Sequence, residues 1–184
     1  MIQTFPGMTV EASSLKQGCS ASLFNGVFAT GGITLSQVSV MTGLEPYLIQ
    51  NWVKRGFVSS PQRRLYSREQ LARIVIINML RESLQIERIC EMIRLLEGDL
   101  ATGSSCCIQA DALYHRYVDL LTEPSLNVSD PQSVLAVTAR ASEDVRQTDP
   151  TLGRLLANTL QVMLYAHTAS KMRGLAEVHF GSLQ

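Results

Sequence analysis

The sequence has little of what marks exported or membrane proteins. Four cysteines in 184 residues do not suggest the disulfide framework of a secreted domain. The most apolar run, Ile74 to Ile77, ends at Asn78, whereas a membrane span needs about 20 apolar residues. The first residues lack the basic start and apolar stretch of a secretory signal. We therefore expect a cytoplasmic protein with no membrane partner.

Charged residues are also scarce, at 17% against 46% apolar, a globular balance. The 16 Lys and Arg cancel the 16 Asp and Glu, but they are not evenly spread. Residues 46–73 hold six cations and one anion, and residues 99–184 hold six cations and nine anions. A basic patch beside an acidic remainder favours a polyanionic partner.

Periodicity divides the chain into three parts and predicts a mainly α fold class. Residues 1–32 predict an N-terminal arm with little structure, ending in a possible short helix. Residues 33–98 predict a head of several helices, and residues 106–175 predict a C-terminal helical module. The stretch "DLATGSSCC" between them has the composition of a linker.

Two short helices open the head. Thr34 and Gln37 form a capping box at the start of the first helix, and Gly43 ends it. Pro46 suits the first turn of the second helix, and Gly56 is well placed to close it in a left-handed conformation.

A polar turn, "SSPQRR", follows the second helix and is brief enough for a small β-hairpin or wing. Val58 and Leu65 are expected to face inward there. Ser67 then opens the next helix with a second capping box, to Gln70. The order helix, turn, helix, basic turn predicts a winged helix-turn-helix.

The second helix carries the side chains that we expect to contact DNA. Gln50 and Asn51 pair donors and acceptors in a way that suits base edges, adenine in particular. Lys54, Arg63 and Arg64 are expected to contact phosphates, which set register more than sequence choice. Arg55 belongs to the same basic stretch and is included in the predicted DNA-binding set.

Three segments together resemble the DNA-binding head of the MerR family of transcription regulators: "TLSQVSVMTGLEPYLIQNWVKRGFV", "RRLYSREQLARI" and "LQIERICEMI". Gly56-Phe57 matches the corner of that head, and Arg64-Leu65-Tyr66 matches its wing signature. The resemblance implies that Arg64 and Tyr66 hold the DNA backbone and that Tyr47 joins Gln50, Asn51 and Lys54 on the recognition helix. The stretch also resembles an uncharacterised bacterial domain-of-unknown-function group with a MerR-like head.

The chain departs from the MerR pattern in three places. Gln50-Asn51-Trp52 stands where the family usually has Arg-Tyr-aromatic. Gln62-Arg63 replaces the usual Gly-aromatic, and the wing is short. The family's long dimerisation helix is missing after Gly98, so its effector and promoter mechanisms are not carried over.

Two further groups of residues could suggest a metal site or a catalytic site, and the sequence favours neither interpretation. Adjacent Cys106 and Cys107 lack further ligands at a recognisable spacing, so we expect no metal and no cofactor. Asp111, His115 and Asp119 share one helix face, but no nucleophile accompanies them, and surface pairing explains them. We therefore expect no enzyme activity.

The sequence as a whole predicts a sequence-specific DNA-binding transcriptional regulator that acts on double-stranded DNA as a homodimer. The long helix from Thr151 to Arg173 is the expected dimer element, because its apolar stripe is wide. The alternative is a protein-interaction module that uses the MerR-like head as a scaffold without DNA binding. A regulator gated by an unknown small-molecule effector in the C-terminal module is also left open.

Overall fold

Helices form most of the computed structural model, which describes residues 3–98 and 107–183. The predicted mainly α fold class is confirmed at that level. The helices are α1 (Cys19–Val27), α2 (Leu35–Thr42), α3 (Pro46–Lys54), α4 (Arg68–Leu80), α5 (Ile86–Glu97), α6 (Ala110–Leu120), α7 (Pro131–Ala141), α8 (Glu143–Thr148) and α9 (Pro150–Gly181).

The described part of the chain contains four two-residue strands in two antiparallel pairs: β1 (Gln3–Thr4) with β2 (Glu11–Ala12), and β3 (Ile33–Thr34) with β4 (Leu65–Tyr66). The predicted hairpin within "SSPQRR" is only partly right. A single bridge joins Gln62 to Leu65, and the main partner of β4 is the strand before α2. Gly32 permits this close pairing, because a Cβ there would lie 2.8 Å from the Leu65 Cβ.

Helix α4 lies at the centre of the molecule. Its apolar side chains are buried on all sides, as the two apolar faces in the sequence predicted. Helices α2, α5, α6 and α9 all contact it, so the head and the helices after residue 107 share one hydrophobic core. Most of the predicted linker lies outside the described residues.

The N-terminal segment is packed, so the expected arm with little structure is wrong for residues 3–12. Phe5 and Met8 are buried in the core. Thr9 donates its amide to the Met41 carbonyl at 2.8 Å and its hydroxyl to the Val40 carbonyl at 2.6 Å, which satisfies the C-terminal end of α2. The short helix expected before residue 32 is α1.

Helix α1 is held against α6 by hydrogen bonds to His115 and Asp119. From the sequence, these two side chains were expected to form ordinary surface pairs. Asp119 accepts the Gly18 amide at 2.7 Å, and His115 Nδ1 lies 3.0 Å from the Ser20 hydroxyl. Burial lowers the pKa of His115. Ser20 is fully buried, so this serine–histidine contact fastens two helices and offers no surface to a substrate.

Asp-Pro pairs begin α7 and α9, as expected. The Asp149 carboxylate accepts the amides of Thr151 at 2.9 Å and Leu152 at 3.0 Å. The six-residue helix α8 between them was not predicted, because it is too short to show an apolar period.

The inner face of α9 packs into the hydrophobic core of the same chain. Leu156, Leu160 and Met163 are fully buried, and His167 Nδ1 lies 2.7 Å from the buried Tyr117 hydroxyl. Burial, reinforced by Lys171, lowers the pKa of His167 to about 4. The apolar stripe that suggested a dimer element therefore packs within the monomer.

The outer face of α9 is apolar as well, and no described residue covers it. Val162, Tyr165 and Met172 are 43%, 44% and 60% exposed, and Leu175 and Phe180 continue the exposed face toward the C-terminus. No described helix combines the length and apolarity that crossing a bilayer requires.

Candidate nucleic-acid interface

Helices α2 and α3 are joined by a tight turn whose geometry is fixed by local hydrogen bonds. The Thr34–Gln37 capping box starts α2, and Gly43 ends it at a φ of 68°. Ser39 donates its hydroxyl to the Leu44 carbonyl at 2.6 Å, and the Leu44 side chain is buried. The turn therefore holds α3 at a defined angle to α2.

Helix α3 has one buried face and one polar face. Ile49 and Trp52 are buried, which confirms the expectation that Trp52 belongs to the core. Beyond Pro46 at its first position, the exposed side chains of α3 recur at the spacing i, i+3, i+4, i+7, which places them on one face of a helix. They are Tyr47, Gln50, Asn51 and Lys54.

This face lies free of the other described residues. Tyr47 is 65% exposed, and among the helices after residue 107, α6 and α9 pack on the head through α4 and α5. At about 1.5 Å per residue the nine residues of α3 span roughly 13 Å. The diameter of α3, about 10–12 Å with side chains, suits the major groove of B-DNA, which is about 12 Å wide.

A buried amide fixes the base of the segment between α3 and α4. Gln70 donates from Nε2 to the Ser59 carbonyl at 2.8 Å and to the Ser60 carbonyl at 3.1 Å. Its Oε1 accepts the Ser67 amide at 2.8 Å, which completes the predicted capping box. The incoming and outgoing arms of the turn are thus joined through one side chain.

The tip of this turn consists of two arginines in a conformation that arginine rarely adopts. Leu65 donates its amide to the Gln62 carbonyl at 2.8 Å, which leaves Arg63 and Arg64 as the two central residues. Their φ angles are 50° and 65°. A left-handed conformation costs a residue with a Cβ about 1–2 kcal/mol, so this turn is strained.

The cations of the basic stretch fall into two groups. Arg55 pairs with Glu87 at 2.8 Å and stacks over the Phe57 ring at 4.5 Å. Arg68 pairs with Asp111 at 3.5 Å.

Arg73 likewise pairs with Glu97. Lys54, Arg63 and Arg64 are exposed, and the ion pairs found among the described residues involve other side chains. Within residues 46–73, the cations that lack a carboxylate partner therefore lie at the end of α3 and at the tip of the turn.

The burial of two side chains in the wing differs from what the sequence predicted. Tyr66 is only 3% exposed, so its expected contact with the DNA backbone is corrected: its ring packs into the core and supports the turn from below. Leu65 was expected to face inward and is 39% exposed, whereas Val58 is buried as expected. The pairing of β4 with β3 decides both outcomes, because side chains alternate along a strand.

A groove of about 1180 Å³ between α3 and α5 holds Cys90 and Cys107. Burial raises the pKa of the Cys90 thiol, which keeps it neutral and a poor metal ligand. Within residues 3–98 and 107–183 no three His, Cys, Asp or Glu side chains come together as a metal site. Cys106 lies outside the described residues.

Comparison with known proteins finds one family. Residues 30–117, just under half of the chain, match a family described as a domain of unknown function, DUF1836. The matched region includes α2 to α5 and most of α6, and thus the whole candidate interface. The match is compatible with the resemblance to an uncharacterised domain group. No curated protein and no solved structure matches the chain.

Proposed function

We propose that the protein is a sequence-specific DNA-binding transcriptional regulator with a winged helix-turn-helix head similar to that of MerR regulators. In this proposal α2 and α3 are the helix-turn-helix, and the segment from Ser59 to Tyr66 is the wing. The observation that carries it is the exposed polar face of α3, which includes Lys54, together with the exposed Arg63 and Arg64 of the wing. These three cations lack carboxylate partners among the described residues.

In this proposal the amide side chains of α3 contact the bases, and the cations contact the phosphates. Gln50 and Asn51 each carry an amide that can make two hydrogen bonds to one adenine edge, and so read sequence in the major groove. Lys54 and the wing arginines supply charge for the backbone and fix the register. The Arg55 pair with Glu87 is exposed on both sides, so opening it toward a phosphate costs at most about 1 kcal/mol.

The outer face of α9 supports a homodimer, with a second copy of this chain as its occupant. Val162, Tyr165, Ala169, Met172 and Ala176 alternate in spacing by three and four residues. This heptad spacing is typical of a seam between two helices, and from Tyr165 onward large side chains alternate with alanines along it. A two-fold dimer would also present two α3 helices to two half-sites.

A selection experiment tests sequence-specific binding. The purified protein is incubated with a random-sequence duplex library, and the retained fragments are sequenced over several rounds. We expect one enriched motif containing adenines. Asn51→Ala should broaden the motif, whereas Arg88→Ala, which removes an exposed cation from α5, should leave it unchanged. A library that stays random over all rounds would contradict the proposal.

Sedimentation velocity tests the dimer. The wild-type protein should sediment as a dimer and Met172→Glu as a monomer, because a charge in the seam is poorly solvated. Lys171→Glu, on a neighbouring exposed position of α9, is the matched control and should remain dimeric. A monomeric wild-type protein with no duplex affinity would instead favour the protein-interaction module, whose expected apolar patch is this same face.

A further inference from the structure

The N-terminal segment, residues 3–12, supplies hydrogen bonds that α2 needs at its C-terminal end. The last four carbonyls of an α-helix have no partner within the helix, so they must be satisfied from outside it. In α2 the Val40 carbonyl accepts the hydroxyl of Thr9, and the Met41 carbonyl accepts the Thr9 amide. Thr9 lies 31 positions before Val40 in the chain. A distant segment therefore holds the point at which α2 turns toward α3.

Asn78 of α4 binds the same end of α2 and the N-terminal segment together. Its Nδ2 donates to the Thr42 carbonyl at 3.1 Å and to the Gly7 carbonyl at 3.0 Å. Thr42 is the last residue of α2 and is buried. Three of the last four carbonyls of α2 thus accept hydrogen bonds from residues outside the helix-turn-helix.

The N-terminal segment is packed tightly between α4 and the turn that joins α2 to α3. A Cβ at Gly7 would lie 2.4 Å from the Val75 carbonyl oxygen of α4. On the other side, a Cβ at Gly43 would lie 2.8 Å from Thr9 Cγ2. The segment therefore cannot shift against either neighbour without a clash, and a displacement of the segment must move the turn.

The same segment is fastened to α6. Tyr114 is fully buried and donates its hydroxyl to the Pro6 carbonyl at 2.9 Å, across 108 positions of the chain. Pro6 adjoins Gly7, whose carbonyl accepts from Asn78. A continuous series of contacts therefore runs from α6 through residues 6–9 to the end of α2, and α3 begins after a turn of only three residues.

We propose that the N-terminal segment positions the helix-turn-helix for duplex binding, and that Tyr114 and Asn78 are positioning residues that act through it. This inference rests on the proposed function, since it requires that α3 binds a duplex. It gives α6 an influence on DNA affinity, because a displacement of α6 is passed through closely packed groups to the angle of α3.

Helix α6 carries two tyrosines that form a matched pair for the test. Tyr114 and Tyr117 are both fully buried, and each hydroxyl makes a hydrogen bond, to the Pro6 carbonyl and to His167 Nδ1 respectively. Tyr114→Phe and Tyr117→Phe each remove one buried hydrogen bond, so both variants should unfold at a slightly lower temperature. Only Tyr114→Phe releases the N-terminal segment.

Fluorescence anisotropy with a duplex selected from the random library compares these variants with the wild type, at a temperature where circular dichroism shows all three to be folded. Tyr114→Phe should bind about fivefold more weakly than the wild type, and Tyr117→Phe should bind as tightly. Equal affinities of the two variants, reduced or not, would overturn the inference and leave the proposed function standing. A wild-type protein that binds no duplex would overturn the proposed function as well.

A second pair of variants decides the question if Tyr114→Phe does not fold. Thr9→Val keeps the size of the side chain and removes the hydroxyl that binds the Val40 carbonyl. Thr4→Val makes the same change at an exposed threonine of the same segment. Thr9→Val should weaken duplex binding about threefold, and Thr4→Val should leave it unchanged. Equal affinities of these two variants would again overturn the inference.

Discussion

The strained wing turn predicts that stability and DNA binding can be changed in opposite directions at Arg64. Glycine at φ 65° removes a strain of about 1–2 kcal/mol. It also makes the unfolded chain more flexible, which costs about 0.5–1 kcal/mol. The Arg64→Gly variant should therefore be more stable by roughly 0.5–1 kcal/mol and unfold a few degrees higher.

The same change removes one of the free cations and should weaken DNA binding. When one cation no longer neutralises a phosphate, the slope of log affinity against log salt becomes shallower by about 0.9. Two matched variants separate strain from charge. Arg64→Lys keeps both, and Arg64→Gln keeps the strain without the charge.

Urea denaturation and fluorescence anisotropy at several salt concentrations measure the two effects. We expect only Arg64→Gly to gain stability, and both Arg64→Gly and Arg64→Gln to show a weaker salt dependence. If Arg64→Gly is no more stable than Arg64→Gln, the turn is not strained, and the reasoning from φ is refuted.

Two further predictions concern the buried polar groups. The pKa of His167, about 4 against an ordinary 6.5, means that the folded state resists protonation. Its stabilising effect is complete above about pH 6.5 and is lost as the pH falls toward 4, so acidification from about pH 7 to about pH 5 should cost roughly 2 kcal/mol. His167→Gln, followed by urea denaturation at both pH values, should remove that part of the pH dependence; an unchanged dependence would show that His167 is not its source. Gln70→Leu should cost about 2 kcal/mol, because it leaves the Ser67 amide and the Ser59 carbonyl without their partner, and should speed hydrogen exchange at Ser67. The control Gln85→Leu, at an exposed glutamine, should stay within about 0.5 kcal/mol of the wild type, and equal losses in the two variants would argue against a special role for Gln70.

Local signals in the sequence were sufficient for the helices of the head. The capping boxes at Thr34 and Ser67, Pro46 at the start of α3 and the left-handed Gly56 are all where the pattern predicted them. Each depends on residues within four positions of one another. For the same reason, the exposed polar face of α3 could be predicted from the helical spacing of its apolar residues alone.

Features that depend on distant pairing could not be predicted. The partner of β4 is a strand some 30 residues earlier, and this pairing buries Tyr66 and exposes Leu65. Likewise the ion pair of Arg55 with Glu87 joins residues 32 apart, so the sequence did not distinguish free from paired cations. The packed N-terminal segment was missed because Phe5 and Met8 meet the core only through tertiary contacts.

The salt dependence of duplex affinity tests the central claim most directly. Three free cations, with Arg55 as a fourth, predict a slope of log affinity against log salt of about −3 to −4 per protomer. Fluorescence anisotropy with a selected duplex from low to near-physiological salt measures it, and a dimer on two half-sites should roughly double the slope. A flat salt response, or no binding at the lowest salt, would contradict the account.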